Sequence, residues 1–335
     1  MKDFLRNADH IRDWAAKQKL QEEEAFEAKK KQNQRRKKEA FLRYQEHLRQ
    51  ELAARAMAAG SNPGGSTSLL LDDYGDDVYL AWSLRKLRTD YTGSAIRVRR
   101  ASDDAELDIG FVNDYLDTQS LSTFLDGNQG RLHTWYDQSQ GTVRNSINAG
   151  SNSLFVSDTS GNVYVSGSIL YLNETYKQYA ATARLQDIDP GTSHTVFVTN
   201  YAHAASQFYL NLAEHTAGKE IIETVSDVIT LETGSNAPYG TIGHISGSAT
   251  HTQDALNTIT AIVNEAPGET ALYFEGNKIA SGSETTIPRM GSTFYPDKAL
   301  SNNAANPVEL IMYLADKTTD RAAIETNINN YYKTY

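Results

Sequence analysis

The first 59 residues contain neither proline nor glycine. This constrains the chain more than any overall percentage does, because those two residues are the usual interrupters of helices. Ala, Glu, Lys, Gln, Arg and Leu dominate the stretch, and all are strong helix formers. Gly60 then stands where a helix stop is expected, and Ser61-Asn62-Pro63-Gly64-Gly65-Ser66 reads as a flexible linker. The expected organisation is a helical arm over 1–59, a linker over 60–66 and a separate body over 67–335. As continuous helix the arm would be roughly 85 Å long at about 1.5 Å per residue, which requires something to pack against.

Two apolar stripes offer that packing surface. Leu5, Ala8, Ile11 and Trp14 form one, and Phe41, Tyr44, Leu48 and Leu52 form the other. Between Ala28 and Ala40 the chain runs Lys29-Lys30-Lys31-Gln32-Asn33-Gln34-Arg35-Arg36-Lys37-Lys38-Glu39, through which no heptad seam can pass. The arm therefore reads as two amphipathic segments joined by a basic spacer. Leu5, Ile11, Trp14, Phe41, Leu48 and Leu52 are its candidate attachment residues. They suit docking on an acidic protein surface, or bundling with further copies into a coiled-coil homo-oligomer. The spacer also fits a solvated helix face.

The net charge of −10 conceals a division: residues 1–60 hold 15 Lys and Arg against 10 Asp and Glu, which leaves the remainder strongly acidic. An acidic body argues against nucleic acid as its ligand. There is no cysteine, so disulfides and thiolate metal sites are excluded. No run approaches the roughly 20 apolar residues of a membrane span, so no membrane insertion is expected. Met1-Lys2-Asp3-Phe4-Leu5 turns polar at once, unlike a secretory leader. The histidines lack zinc-protease spacing, and Gly240-Thr241-Ile242-Gly243 lacks the Lys-Ser/Thr of a phosphate loop. Asp72-Asp73 and Asp76-Asp77 read as exposed acidic turns, with cation attraction as the alternative. No metal and no cofactor is expected.

The body has short runs of Val, Ile, Thr, Tyr and Phe separated by Gly, Asn, Asp and Ser, a pattern of many short strands. Expected strands cover 95–99, 130–136, 163–165, 195–201, 207–212, 221–231, 257–264, 270–275 and 308–314. Helix is expected over 78–88 and over 319–332, the second opening on Thr319-Asp320. A β-sandwich or barrel follows.

From Tyr79 to Ile109 the chain reads YLAWSLRKLRTDYTGSAIRVRRASDDAELDI, followed by Gly110-Phe111, Leu116-Asp117-Thr118 and Trp135-Tyr136-Asp137-Gln138-Ser139. This series resembles the catalytic domain of the fungal α-L-arabinofuranosidase B family. It is still more similar to the arabinofuranosidase-like, laminin-G-like domains of bacteriophage virion proteins. Glu309–Leu314 and the segment after it are similar to the closing strand and helix of such domains. The resemblance covers 67–155 well and 290–335 more loosely. Relatives continue WYDQS with Gly-Asn-Gly, where this chain has Gln140-Gly141-Thr142.

The resemblance implies a mainly β fold, a concanavalin-like antiparallel β-sandwich (jelly roll) with a C-terminal helix, behind the helical arm. Arg97, Arg99 and Arg100 alternate with Ile96 and Val98, so at least one arginine is expected to point inward or between sheets, paired with Asp103, Asp104, Asp108 or Asp137. Those residues read either as a structural ion-pair network or as a polar sugar-facing site. A retaining glycosidase needs two carboxylates about 5–5.5 Å apart. The family's nucleophile motif is not recognisable: Glu220, Glu223 and Glu232 lie in unlike surroundings. Asp297 is the positional candidate for the acid, beside Lys298, without the family's Gly-Gly-Asp loop.

The expected function is therefore a virion structural protein, assembled in the host cytoplasm as a head or tail fibre, a decoration or a neck or tail appendage. Its arm would bind other virion proteins, and its sandwich a host-surface glycan. Trp135, Tyr136, Tyr201 and Tyr239 are the candidate glycan contacts. An arabinofuranosidase and a bacterial adaptor with a protein-binding sandwich are the alternatives.

Overall fold

The computed structural model describes residues 68–140, 155–166, 193–202, 219–225, 228–234, 243–249, 255–264, 269–282 and 306–334, with short strand pieces at 147–148, 169–170 and 209–211. The arm and its six attachment residues lie outside them.

A six-stranded antiparallel sheet forms the centre. It is built from β1 (Val78–Ser83), β10 (His194–Ala202), β15 (Ala255–Val263), β16 (Thr270–Phe274), β17 (Asn277–Gly282) and β18 (Asn306–Tyr313), in the order β1-β18-β10-β15-β16-β17. A four-stranded sheet joins β2 (Ile96–Arg100), β3 (Glu106–Ile109), β6 (Gly130–Trp135) and β7 (Ile147–Asn148) in the order β3-β2-β6-β7. Another runs sequentially through β11 (Tyr209–Asn211), β12 (Lys219–Val225), β13 (Val228–Gly234) and β14 (Gly243–Ser248). Two hairpins complete the strands, β4 (Phe111–Val112) with β5 (Tyr115–Leu116) and β8 (Val165–Ser166) with β9 (Ile169–Leu170). Helices α1 (Leu70–Asp73), α2 (Thr118–Leu125) and α3 (Arg321–Tyr332) accompany them.

Alternation sets the faces. In β2, Ile96 and Val98 are buried while Arg97, Arg99 and Arg100 are not. Inward side chains of all three larger sheets merge into one core: Leu80, Val198, Ile259 and Met312 from the central sheet meet Val98, Leu132, Leu231 and Ile245 from the others. Trp82 and Trp135 stack within it at 6.3 Å between centroids, worth about 1 kcal/mol beyond area burial. The body is an antiparallel β-sandwich. Where β14 crosses β17, a Cβ on Gly247 would come within 2.4 Å of the Ile279 carbonyl oxygen, so the close approach of these strands requires glycine.

Turn chemistry is local. Glu275-Gly276 (φ 47° and 78°) and Asn113-Asp114 (φ 51° and 67°) both supply the paired positive φ of a tight hairpin turn. Asp117 caps α2 by accepting from the Ser120 amide at 2.9 Å. Helix α3 buries Ile324, Glu325, Ile328 and Tyr332.

Two expectations are corrected. The segment 78–88 is not a helix: its first half is β1, paired with β18 from Ser83↔Glu309 to Val78↔Tyr313. The run 221–231 is not one strand but parts of two, β12 and β13, with Val225 paired to Val228.

Candidate functional site

The most specific motif, Trp135 to Ser139, closes the end of β6 onto β1 and the chain that follows it. Asp137 is fully buried and accepts from the Ala81 amide (2.9 Å), the Ser139 amide (2.9 Å) and the Ser139 hydroxyl (2.8 Å). Gln138 is equally buried. Its Oε1 accepts from the Leu87 amide at 2.9 Å, and its Nε2 donates to the Ser83 and Arg85 carbonyls at 3.0 and 2.9 Å. Five of these six contacts satisfy backbone groups, the amides of Ala81, Leu87 and Ser139 and the carbonyls of Ser83 and Arg85, so the motif acts as a clamp. Asp137 is thereby removed from the expected arginine partners.

The three arginines of β2 stay at the surface, contrary to the expectation that at least one turns inward. The Arg97 guanidinium holds Asp108 through two bonds of 2.8 and 2.7 Å, with both side chains about 40% exposed. Arg99 pairs with Glu106 at 2.9 and 2.5 Å, and His133 lies 3.4 Å from the same carboxylate. Arg100 pairs with Asp103 at 2.9 and 2.6 Å and donates to the Phe124 carbonyl at 2.6 Å. Asp104 enters the turn through its backbone, at φ 56°. These hydrogen bonds hold Asp103 down to about 2 and keep Asp108 and Glu106 below the usual carboxylate range. Tyr136 donates to Asp108 at 2.7 Å, and burial, with that carboxylate beside it, pushes the phenol up to about 12. The outer face of β2, β3 and β6 is thus a lattice of charged groups that are already paired yet still open to solvent.

Among the described residues the buried arginine is Arg85, which the motif reading did not single out. It meets Glu309 on β18 with Nε–Oε2 at 2.8 Å and Nη2–Oε1 at 3.0 Å, and donates through Nη1 to Asn327 at 2.7 Å. Ser83 (2.6 Å) and Tyr332 (3.1 Å) donate to the same carboxylate. The guanidinium lies 5.0 Å from the Tyr331 ring centroid and 5.5 Å from that of Tyr332. Burial opposes its charge, but Glu309 holds the arginine above its usual pKa. A Glu inside the apolar run Val308–Leu314 was the sequence signal that a partner had to exist.

The aromatic candidates divide. Trp135 is 1% exposed and Tyr201 8%, and both belong to the core, so neither is open to a ligand. Tyr136 is half-buried and tied to Asp108. Tyr239 and Asp297 lie outside the described residues. Among the described residues Tyr115, at 38%, is the exposed aromatic, stacked on Tyr331 at 5.1 Å.

Neither a protein family nor a curated protein matches the sequence. Solved structures do resemble this one. A GH54 α-L-arabinofuranosidase soaked with a cyclic sulfate inhibitor superposes with a TM-score of 0.52 at 15% identity, over 77% of this chain. A mutant GH54 α-L-arabinofuranosidase soaked with 4-nitrophenyl α-L-arabinofuranoside gives the same TM-score and identity over the same share. The body shares their fold. This chain spans 64% of the length of each of those chains.

Proposed function

We propose that this chain is a bacteriophage virion protein whose N-terminal arm anchors it to other virion proteins and whose sandwich binds a glycan on the host surface. One observation carries the binding reading. The sandwich shares the fold of sugar-cleaving enzymes, while the acids of its motif-dense region are engaged in structure: Asp137 in the clamp and Glu309 under Arg85. The Glu309 carboxylate accepts from Arg85, Ser83 and Tyr332 inside the protein, so its acceptor sites are taken by the fold. The arm–linker–body sequence and the resemblance of residues 67–155 to phage virion domains support the virion setting. Weak single sites become effective when many copies are displayed.

The test has two parts. Full-length protein on an array of bacterial and plant-type glycans is expected to bind at least one neutral saccharide and to leave a chromogenic arabinofuranoside intact. Mass spectrometry of purified particles is expected to find the chain in them; consistent absence from particles would overturn the virion setting.

The shared fold favours an arabinofuranosidase as the second reading. Hydrolysis of the chromogenic substrate would establish it, and activity surviving Asp297→Asn would remove Asp297 as its acid.

A further inference from the structure

We propose that the cleft between the turn after α1 and the end of the WYDQS segment is a subsite for a neutral saccharide; this deepens the glycan-binding reading and rests on it. The cleft has a volume of about 420 Å³ and is lined by Gly75, Asp76, Asp77, Val78, Arg88, Ser139 and Gln140. That size sits in the lower part of the range for small-molecule clefts, roughly 300–1,000 Å³, and admits a monosaccharide or disaccharide.

Its chemistry selects the ligand class. The lining is almost wholly polar, with acceptors (Asp76, Asp77) and donors or mixed groups (Arg88, Ser139, Gln140) both present. An apolar ligand has little to bury here. A ring carrying hydroxyls at several positions can donate to the carboxylates and accept from the guanidinium and the amide together. The arginine is held in place: Nε donates to Asp90 at 3.0 Å and Nη1 to the Ser139 carbonyl at 2.9 Å, while 24% of the side chain stays exposed. Asp77 stands at φ 62°, its side chain 60% exposed, with its carbonyl fixed by the Leu314 amide at 2.9 Å. A Cβ on Gly75 would lie 2.2 Å from the Leu71 carbonyl oxygen and 3.3 Å from Arg88 Nη1, so glycine is what lets this wall sit against both. Arg88 faces Asp90 at 3.0 Å and Asp77 faces Lys317 at 3.8 Å, so it is Asp76 that leaves the cleft net negative, which disfavours sialic and uronic acids.

The experiment is saturation-transfer difference NMR on the full chain. The probes are methyl α-L-arabinofuranoside and lactose as neutral sugars and sialyllactose as the anionic one. A neutral probe is expected to bind and sialyllactose to bind more weakly. Asp76→Ala and Gln140→Ala, both at positions that leave the core untouched, are each expected to weaken the neutral probe about tenfold, the scale of one lost bond to a sugar hydroxyl. Arg88→Ala would do the same, but it also releases the Ser139 carbonyl, so the other two variants decide. If the intact chain binds and both variants bind within about twofold of it, the cleft is not the subsite and the glycan reading stands. If the intact chain binds no saccharide here or on the array, both fall.

Discussion

Arg85 and Glu309, 224 residues apart in sequence, meet through two parallel hydrogen bonds of 2.8 and 3.0 Å inside the protein. Arg85→Met would leave the Glu309 carboxylate buried without its counter-charge. The expected loss is about 3–5 kcal/mol of unfolding free energy, measured by chemical denaturation. Arg85→Met with Glu309→Leu is expected to recover much of that, because the charge leaves with its partner. Arg97→Ala at the exposed lattice should cost under about 1 kcal/mol, and less at high salt. Equal costs at Arg85 and Arg97 would refute the contrast drawn between them.

Gln138 supports β1 and the chain after it through three side-chain bonds. Gln138→Leu keeps its bulk and strands a buried amide and two buried carbonyls, for an expected loss of about 3 kcal/mol. If this residue served a ligand instead of the fold, the same variant would unfold at an unchanged urea midpoint.

Glu275 has its Oε1 buried with no hydrogen-bond partner, and burial lifts its carboxyl to about 7 from an ordinary 4.5. The fold therefore favours the protonated form. Its stabilising share is complete below about 4.5 and is lost as pH rises through about 7. Glu275→Gln is expected to flatten the decline between pH 5 and 8. The gain at the alkaline end should be on the order of 1–2 kcal/mol, discounted because the residue is only half-buried. Thermal midpoints of both proteins across that window check it; parallel curves would refute it.

Light scattering on the full chain, and on a chain shortened to begin at Thr67, tests the arm. A full-length dimer or trimer that becomes monomeric on shortening is the expected outcome. Monomers in both cases would remove arm-driven bundling and leave docking onto another protein.

How far the sequence reached is clearest at three places. Strands β10, β15 and β18 were legible because their β-branched runs match the period and length of strands. Strand β1 was not. Its last four residues are all buried, so it shows no alternation, and the spacing of Leu80, Ala81, Leu84 and Leu87 imitates a helix until the distant partner β18 is known. For β2 the alternation placed Arg97 and Arg99 opposite Ile96 and Val98, but whether that opposite face is covered depends on layers that no local window contains. The WYDQS segment was recognisable by its residues alone. Its role as a clamp became visible only with Ala81, Ser83 and Leu87 in place around it.

Strand β18 lies between β1 and β10, although β1 opens the sandwich and β18 is its final strand. A ribosome would therefore release both neighbours long before the strand that joins them. Until then β1 and β10 each present a bare edge in the position that β18 later fills, with Ser83 and Arg85 lacking the carboxylate they are built around. Assembly of the central sheet therefore waits on its last strand, is slowed by that long-range connectivity, and depends on protection of those edges while the chain is still growing.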